Sequence, residues 1–178
     1  MNGIAVDGIA VDIIMLFLKG IPEGLLVILA LHFFTRTKIQ PKKYFLICFI
    51  YVGATYLIRL LPITLGVNTV LSLFIMILAF QFIYNGQLSK VIRSIASAAV
   101  ILILVAVSEV LNMLLLTILY GQTKAEALFN ASNALIKSLY TIPSTVFFAI
   151  LIITGYFILK KLDMRKNTNG KDGKTTGV

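Results

Sequence analysis

The sequence is short of most of what a soluble enzyme uses. It has one cysteine, Cys48, inside an apolar run. That excludes an internal disulfide and a thiolate metal cluster, and leaves the role of a small buried hydrophobe. Charged residues make up only 13% of the chain, where a soluble domain carries roughly 25%. No basic region precedes the first apolar stretch, since the chain reads Met1-Asn2-Gly3 and its first charge is Asp7, so no cleavable secretory signal is expected. The one histidine, His32, has no His, Asp or Glu at ligand spacing, which argues against a metal site. It reads as an interfacial side chain near one end of the first apolar span. Gly-x-Ser-x-Gly, a phosphate-cradling Gly-rich loop and His-Glu-x-x-His are all absent from the sequence, so neither enzymatic activity nor a cofactor is expected.

What the chain does have is apolar length. Of its 178 residues 59% are hydrophobic, and its mean hydropathy is +0.98. So small a globule cannot hide that excess, because surface dominates at this size. Lipid must cover it. A net charge of +9 suggests nucleic acid in a soluble protein. Here, however, the basic residues flank apolar runs, and the pattern indicates membrane topology and attraction to anionic headgroups instead.

A bilayer core about 30 Å thick takes roughly 20 apolar residues as helix. Candidate spans cover residues 11–34, 43–61, 66–84, 95–120 and 139–159. The first is interrupted by Lys19, Gly20, Pro22 and Glu23. It is either one long kinked helix or a short interfacial helix followed by a span that begins near Ile21. Twelve of the sixteen basic residues fall in 36–43, 90–93 and 160–174, on one side of a five-span arrangement. The other four, Lys19, Arg59, Lys124 and Lys137, fall on the opposite side. Short loops rich in Lys and Arg stay cytoplasmic. The expectation is therefore an all-α, multi-pass bundle of five helices in the cell membrane, with the N-terminus outside and the C-terminus inside. It becomes six helices if residues 4–18 also cross, against which Asp7 and Asp12 argue. By domain, residues 1–10 are an extracytoplasmic segment, 11–162 the bundle and 163–178 a disordered cytoplasmic tail.

Two smaller features belong to this reading. Gly3-Ile-Ala-Val-Asp7 is repeated directly as Gly8-Ile-Ala-Val-Asp12, a period of five that matches no helical or solenoid repeat. Residues 121–138 are polar enough for an outer loop, within which 124–136 can form an interfacial helix. Pro22, Pro62 and Pro143 all fall near outer helix ends, where a missing amide donor does least harm.

Ionisable and amide side chains inside spans are costly in lipid and mark functional positions. Four stand out: Glu23 after Pro22, Arg59 in the outer third of the second span, and Glu109 and Asn112 in the fourth. Glu109 falls on a stripe with Ser94, Ala98, Leu102 and Val105, the expected protein-facing side. Lys19 lies four residues before Glu23, so those two can pair along one helix. Between helices, Glu23–Arg59 or Glu109–Arg59 is the pairing to expect. A purely structural role, orienting helices or letting Arg59 snorkel outward, is the alternative. Cys48 and His32 stand on successive spans, so a Cys–His membrane peptidase is geometrically conceivable, but no third group orients the pair.

Ile21-Pro-Glu-Gly-Leu25, then Tyr56-Leu-Ile-Arg59-Leu-Leu-Pro62-Ile-Thr-Leu-Gly66, then Ser108-Glu109 together resemble the N-terminal membrane sensor region of Firmicutes histidine kinases with a GHKL-type ATPase. The resemblance extends over residues 10–162. It implies a sensor-like signalling module that binds a ligand and associates with a histidine kinase or other membrane partner. Neither the phospho-accepting His nor the ATP-binding motifs of that family occur here, so the expected module acts without a kinase domain of its own. The chain is also similar in length to the compact substrate-binding membrane subunits of vitamin importers, which normally have six helices. That likeness gives the alternative function, in which a vitamin-type small molecule is the ligand.

Overall fold

The computed structural model describes residues 16–59, 65–84, 88–129, 131 and 133–172. Among these, all regular structure is helical. A π turn at Leu16–Gly20 leads into α1 (Ile21–Thr35), followed by α2 (Pro41–Arg59), α3 (Leu65–Tyr84), α4 (Leu88–Tyr120), α5 (Gln122–Phe129) and α6 (Ala134–Asp172). Three stretches, Leu16–Thr35, Val91–Tyr120 and Leu135–Leu162, are long and apolar enough to cross a membrane, and Val70–Tyr84 is a shorter apolar helix. The tandem repeat at 3–12, Pro62, the Arg59 side chain and residues 173–178 lie outside the described residues.

The interruption in the first span takes the form of the π turn, which runs directly into α1. Pro22, at the first turn of α1, has no N–H, and its ring would crowd the carbonyl four residues back in a regular α-helix. A wider turn ahead of it relieves that crowding, and π turns are a recognised site of helix bending. At its other end α1 is closed by Arg36 in the left-handed region (φ 54°, ψ 34°). The Arg36 N–H donates to Phe33 O at 3.2 Å and the Thr37 N–H to His32 O at 3.0 Å, the paired bonds that satisfy a helix's last carbonyls.

α1 is the hub. Its Val27, Ile28, Ala30 and Leu31 pack in one core with Ile47 and Cys48 of α2, Met76 and Phe80 of α3, Ala98 and Ile101 of α4, and Phe148 and Ile152 of α6. Cys48 is thus a buried hydrophobe, as its surroundings in sequence suggested. Close approach of α1 to α2 depends on Gly24, where an added Cβ would stand 2.6 Å from Val52 Cγ2. Val52 is β-branched and stiff, so it cannot swing aside. Gly24→Ala is therefore expected to force the two helices apart and cost about 1–3 kcal/mol. A lowered midpoint of unfolding in detergent, followed by helical circular dichroism, checks this; an unchanged midpoint refutes it.

Outside this apolar core, burial runs against the pattern of a soluble protein. Phe82 is 87% exposed, and Phe49 and Ile118 are 80% exposed, whereas Ser94, Asn112 and Ser138 are fully buried. On α4 the inward side carries Ser94, Ser97, Ala98, Ile101, Ser108, Asn112 and Leu116. It meets α6 along Ser138, Thr141, Ser144, Phe148 and Ile152. Small residues allow close helix approach where the surroundings are as apolar as the side chains, and this is how helices associate in lipid.

Three expectations need correction. Pro143 is inside α6, since that helix begins at Ala134, ahead of the apolar run from which its start was read. α6 also continues to Asp172, so the stretch read as a disordered tail from residue 163 begins as helix. Residues 160–166 read Lys-Lys-Leu-Asp-Met-Arg-Lys, mostly strong helix formers that extend an already nucleated helix. Finally, Leu102 is on the outward side of α4, so the protein-facing stripe is shifted from the one drawn through Glu109. Within residues 121–138, where a helix over 124–136 was expected, α5 spans Gln122–Phe129.

Candidate functional site

Contacts define a common basic end for the bundle. The His32 ring of α1 meets Tyr84 of α3 and Tyr44 of α2, and Phe33 of α1 stacks against Tyr156 of α6 with ring centroids 4.6 Å apart. Gln81 of α3 donates to Ser94 Oγ of α4 at 2.7 Å. Arg36, Lys38, Lys42, Lys43, Arg93, Lys160 and Lys161 all stand at this level.

Residues can be placed along the bundle by counting from this end. Glu109 is sixteen residues from Arg93, Lys19 seventeen from Arg36 and Thr145 fifteen from Lys160. Each lies roughly 22–25 Å away at 1.5 Å per residue. They are brought together. Lys19 Nζ donates to Glu109 Oε1 at 3.4 Å and stands 4.0 Å from Glu23 Oε2. One ammonium on the π turn therefore serves two carboxylates, one on α1 and one on α4. The Lys19 side chain is 13% exposed, that of Glu23 25% and that of Glu109 44%.

Beside this cluster is a narrow crevice lined by Glu23, Val105, Ser108, Glu109, Ser144, Thr145 and Phe148, too tight for a water-sized sphere. Ser108 Oγ donates to Val105 O at 2.6 Å, and Ser144 Oγ to Thr141 O at 2.7 Å. Thr145 Oγ1 is buried without a hydrogen-bond partner. One turn further along α4, Asn112 Nδ2 donates to Tyr140 O of α6 at 3.0 Å, while Asn112 Oδ1 has no partner. Pro143 gives no N–H to the backbone of this segment. Asn112 thus ties α4 to α6 at Tyr140, the residue after Leu139, whose carbonyl loses its ladder partner at Pro143.

Of the residues singled out in the sequence, Glu23 and Glu109 meet through Lys19, and Asn112 lies one turn along α4 from Glu109. The Lys19–Glu23 pairing along one segment is present. The interhelical partner of Glu109 is Lys19, and pairing with Arg59 lies outside the described residues. Reading the sequence missed the Lys19–Glu109 link and the Ser138, Thr141, Ser144 and Thr145 wall. Counting residues from each basic end would have put Lys19 and Glu109 at one depth.

His32 is not interfacial but buried. Its Nδ1–H donates to Ile28 O at 2.8 Å, which leaves Nε2 of the neutral ring to accept from the Tyr84 hydroxyl at 3.0 Å. The Phe80 and Tyr84 rings meet it edge-on, and Lys43 Nζ lies 5.0 Å from the centroid of Tyr84. The Tyr44 hydroxyl donates to Leu25 O at 2.8 Å. Both ring nitrogens are committed to groups other than Cys48, so this geometry does not favour a Cys–His peptidase. Among the described residues no group of three His, Cys, Asp or Glu side chains could hold a metal ion. No protein-family model matches the chain, and neither a curated protein nor a solved structure is found similar to it.

Proposed function

We propose that this chain is an integral membrane sensor-like module that binds a ligand at the Lys19–Glu23–Glu109 cluster and passes the change to a membrane partner such as a histidine kinase. In this reading α1, α2, α3, α4 and α6 all cross the cell membrane. The basic end is cytoplasmic and the cluster lies toward the outer face, with the N-terminus outside. The supporting observation is one ammonium shared by two carboxylates from different helices, next to the unpartnered oxygens of Thr145 and Asn112. A ligand that draws one carboxylate away from Lys19 would remove the ion pair that joins the start of the first span to α4 and shift the balance between arrangements of that end.

The test is cross-linking in native membranes, followed by purification of the tagged chain. Recovery of a histidine kinase whose output changes with Glu109→Gln supports the proposal. Recovery of a transport ATPase pair, or of no partner, overturns it.

A further inference from the structure

The basic end carries a second surface, distinct from the polar cluster. α1 and α6 run toward it side by side, in contact through the Phe33 and Tyr156 rings and through Phe34 packed against Gly155. Arg36 is three residues beyond Phe33, and Lys160 is four residues beyond Tyr156. Both basic residues therefore stand about one turn past the same ring pair and flank one seam. Arg36, Lys160 and Lys161 are all exposed. The left-handed turn at Arg36 ends α1 there, so that this cation is fixed at the lip of the seam. Just below the rings, large apolar side chains of α6 face outward, including Ile150 at 54% and Ile153 at 52% exposure. Cations above, aromatic rings between and bare apolar surface below is the layering of a phospholipid: phosphate, glycerol and acyl chain.

We infer that the α1–α6 seam at the basic end binds the headgroup of an anionic phospholipid, held by Arg36, Lys160 and Lys161. Bound lipid spans the hub helix and the longest helix, and so fixes the end of α1 against α6.

The experiment titrates short-chain phosphatidylglycerol or phosphatidylcholine into the detergent-solubilised full chain and reads retained lipid by native mass spectrometry. The wild type is expected to retain phosphatidylglycerol in clear preference. Each neutralised cation should weaken that binding about fivefold, so R36Q/K160Q/K161Q loses on the order of 100-fold. K124Q/K137Q, altered at the opposite end, should bind as the wild type does, and the charge-keeping R36K/K160R/K161R should retain the preference. Should the neutral triple variant fail to fold, the salt dependence of the wild type decides, with a steep fall in binding expected as ionic strength rises. Equal retention of the two lipids, salt-independent binding, an unaffected folded triple variant, or displacement of the lipid by inorganic phosphate would each overturn the inference.

Discussion

Asn112→Asp is expected to be among the most damaging single substitutions in this chain, worse than Asn112→Ala. Asn112 is fully buried between α4 and α6. Its Nδ2 supplies the donor that Tyr140 O accepts. Alanine removes that donor and leaves a small void, which together cost about 1–3 kcal/mol, since hydrogen bonds between membrane helices contribute modestly on their own. Aspartate keeps the shape but turns the donor into a second acceptor facing a carbonyl. It must then take up a proton or be buried as a charge, either of which is costly in an apolar interior. The expected order of unfolding midpoints in detergent is wild type, then Asn112→Ala, then Asn112→Asp. If aspartate is tolerated as well as alanine, the side chain does not link the helices as described.

The second large effect concerns Lys19. Lys19→Met removes the cation shared by Glu23 and Glu109 and leaves two carboxylates facing one another across a narrow crevice. Breaking a fully buried pair costs about 3–5 kcal/mol. Because the Glu109 side chain is 44% exposed, a loss nearer 1–3 kcal/mol is expected once solvent and headgroup screening are allowed for. Adding Glu109→Gln to Lys19→Met should recover much of this, because it removes the stranded charge on α4. In a double-mutant cycle on the unfolding midpoint, Lys19→Met and Glu109→Gln should be clearly non-additive. Strict additivity would mean that the 3.4 Å contact carries no energy.

Much of the fold could be read from the sequence because lipid imposes a simple demand: each crossing segment needs length and apolar character. That demand placed both ends of α2 and α3 within two residues of expectation and the end of α4 at Tyr120. However, α4 begins seven residues earlier than expected, at Leu88, and α2 is not among the helices long and apolar enough to cross a membrane. The same demand could not set the rotation of a helix about its axis. α4 has apolar residues on every side, so its hydrophobic residues carry no phase. Leu102 was assigned inward, yet it faces out, while Ser97 and Ile101 face in. The small polar residues did carry phase, as Ser94, Ser97, Ser108 and Asn112 all lie on the buried side. The same rule applied to α6 would have marked Ser138, Thr141 and Ser144. The candidate site was half legible. Glu23, Glu109 and Asn112 stood out by their chemistry, but the link from Lys19 to Glu109 joins residues ninety positions apart. It depends on the π turn, which apolar periodicity does not encode. His32 was misjudged because its partners Tyr44, Phe80 and Tyr84 come from two other helices.

That turn works as a vernier between the two ends of the first span. A π turn takes in one residue more than an α turn without lengthening the segment by a full turn. Deleting one residue from Leu16–Gly20, such as Phe17, would restore ordinary winding. Because the wide turn already absorbs the extra residue, the winding on either side would stay nearly in phase, and Lys19, inside the turn, would be re-aimed relative to Glu109. The pairing with Glu109 thus depends on a single residue of slack, through which Lys19 can be re-aimed while the core around Ile28 and Leu31 is left untouched.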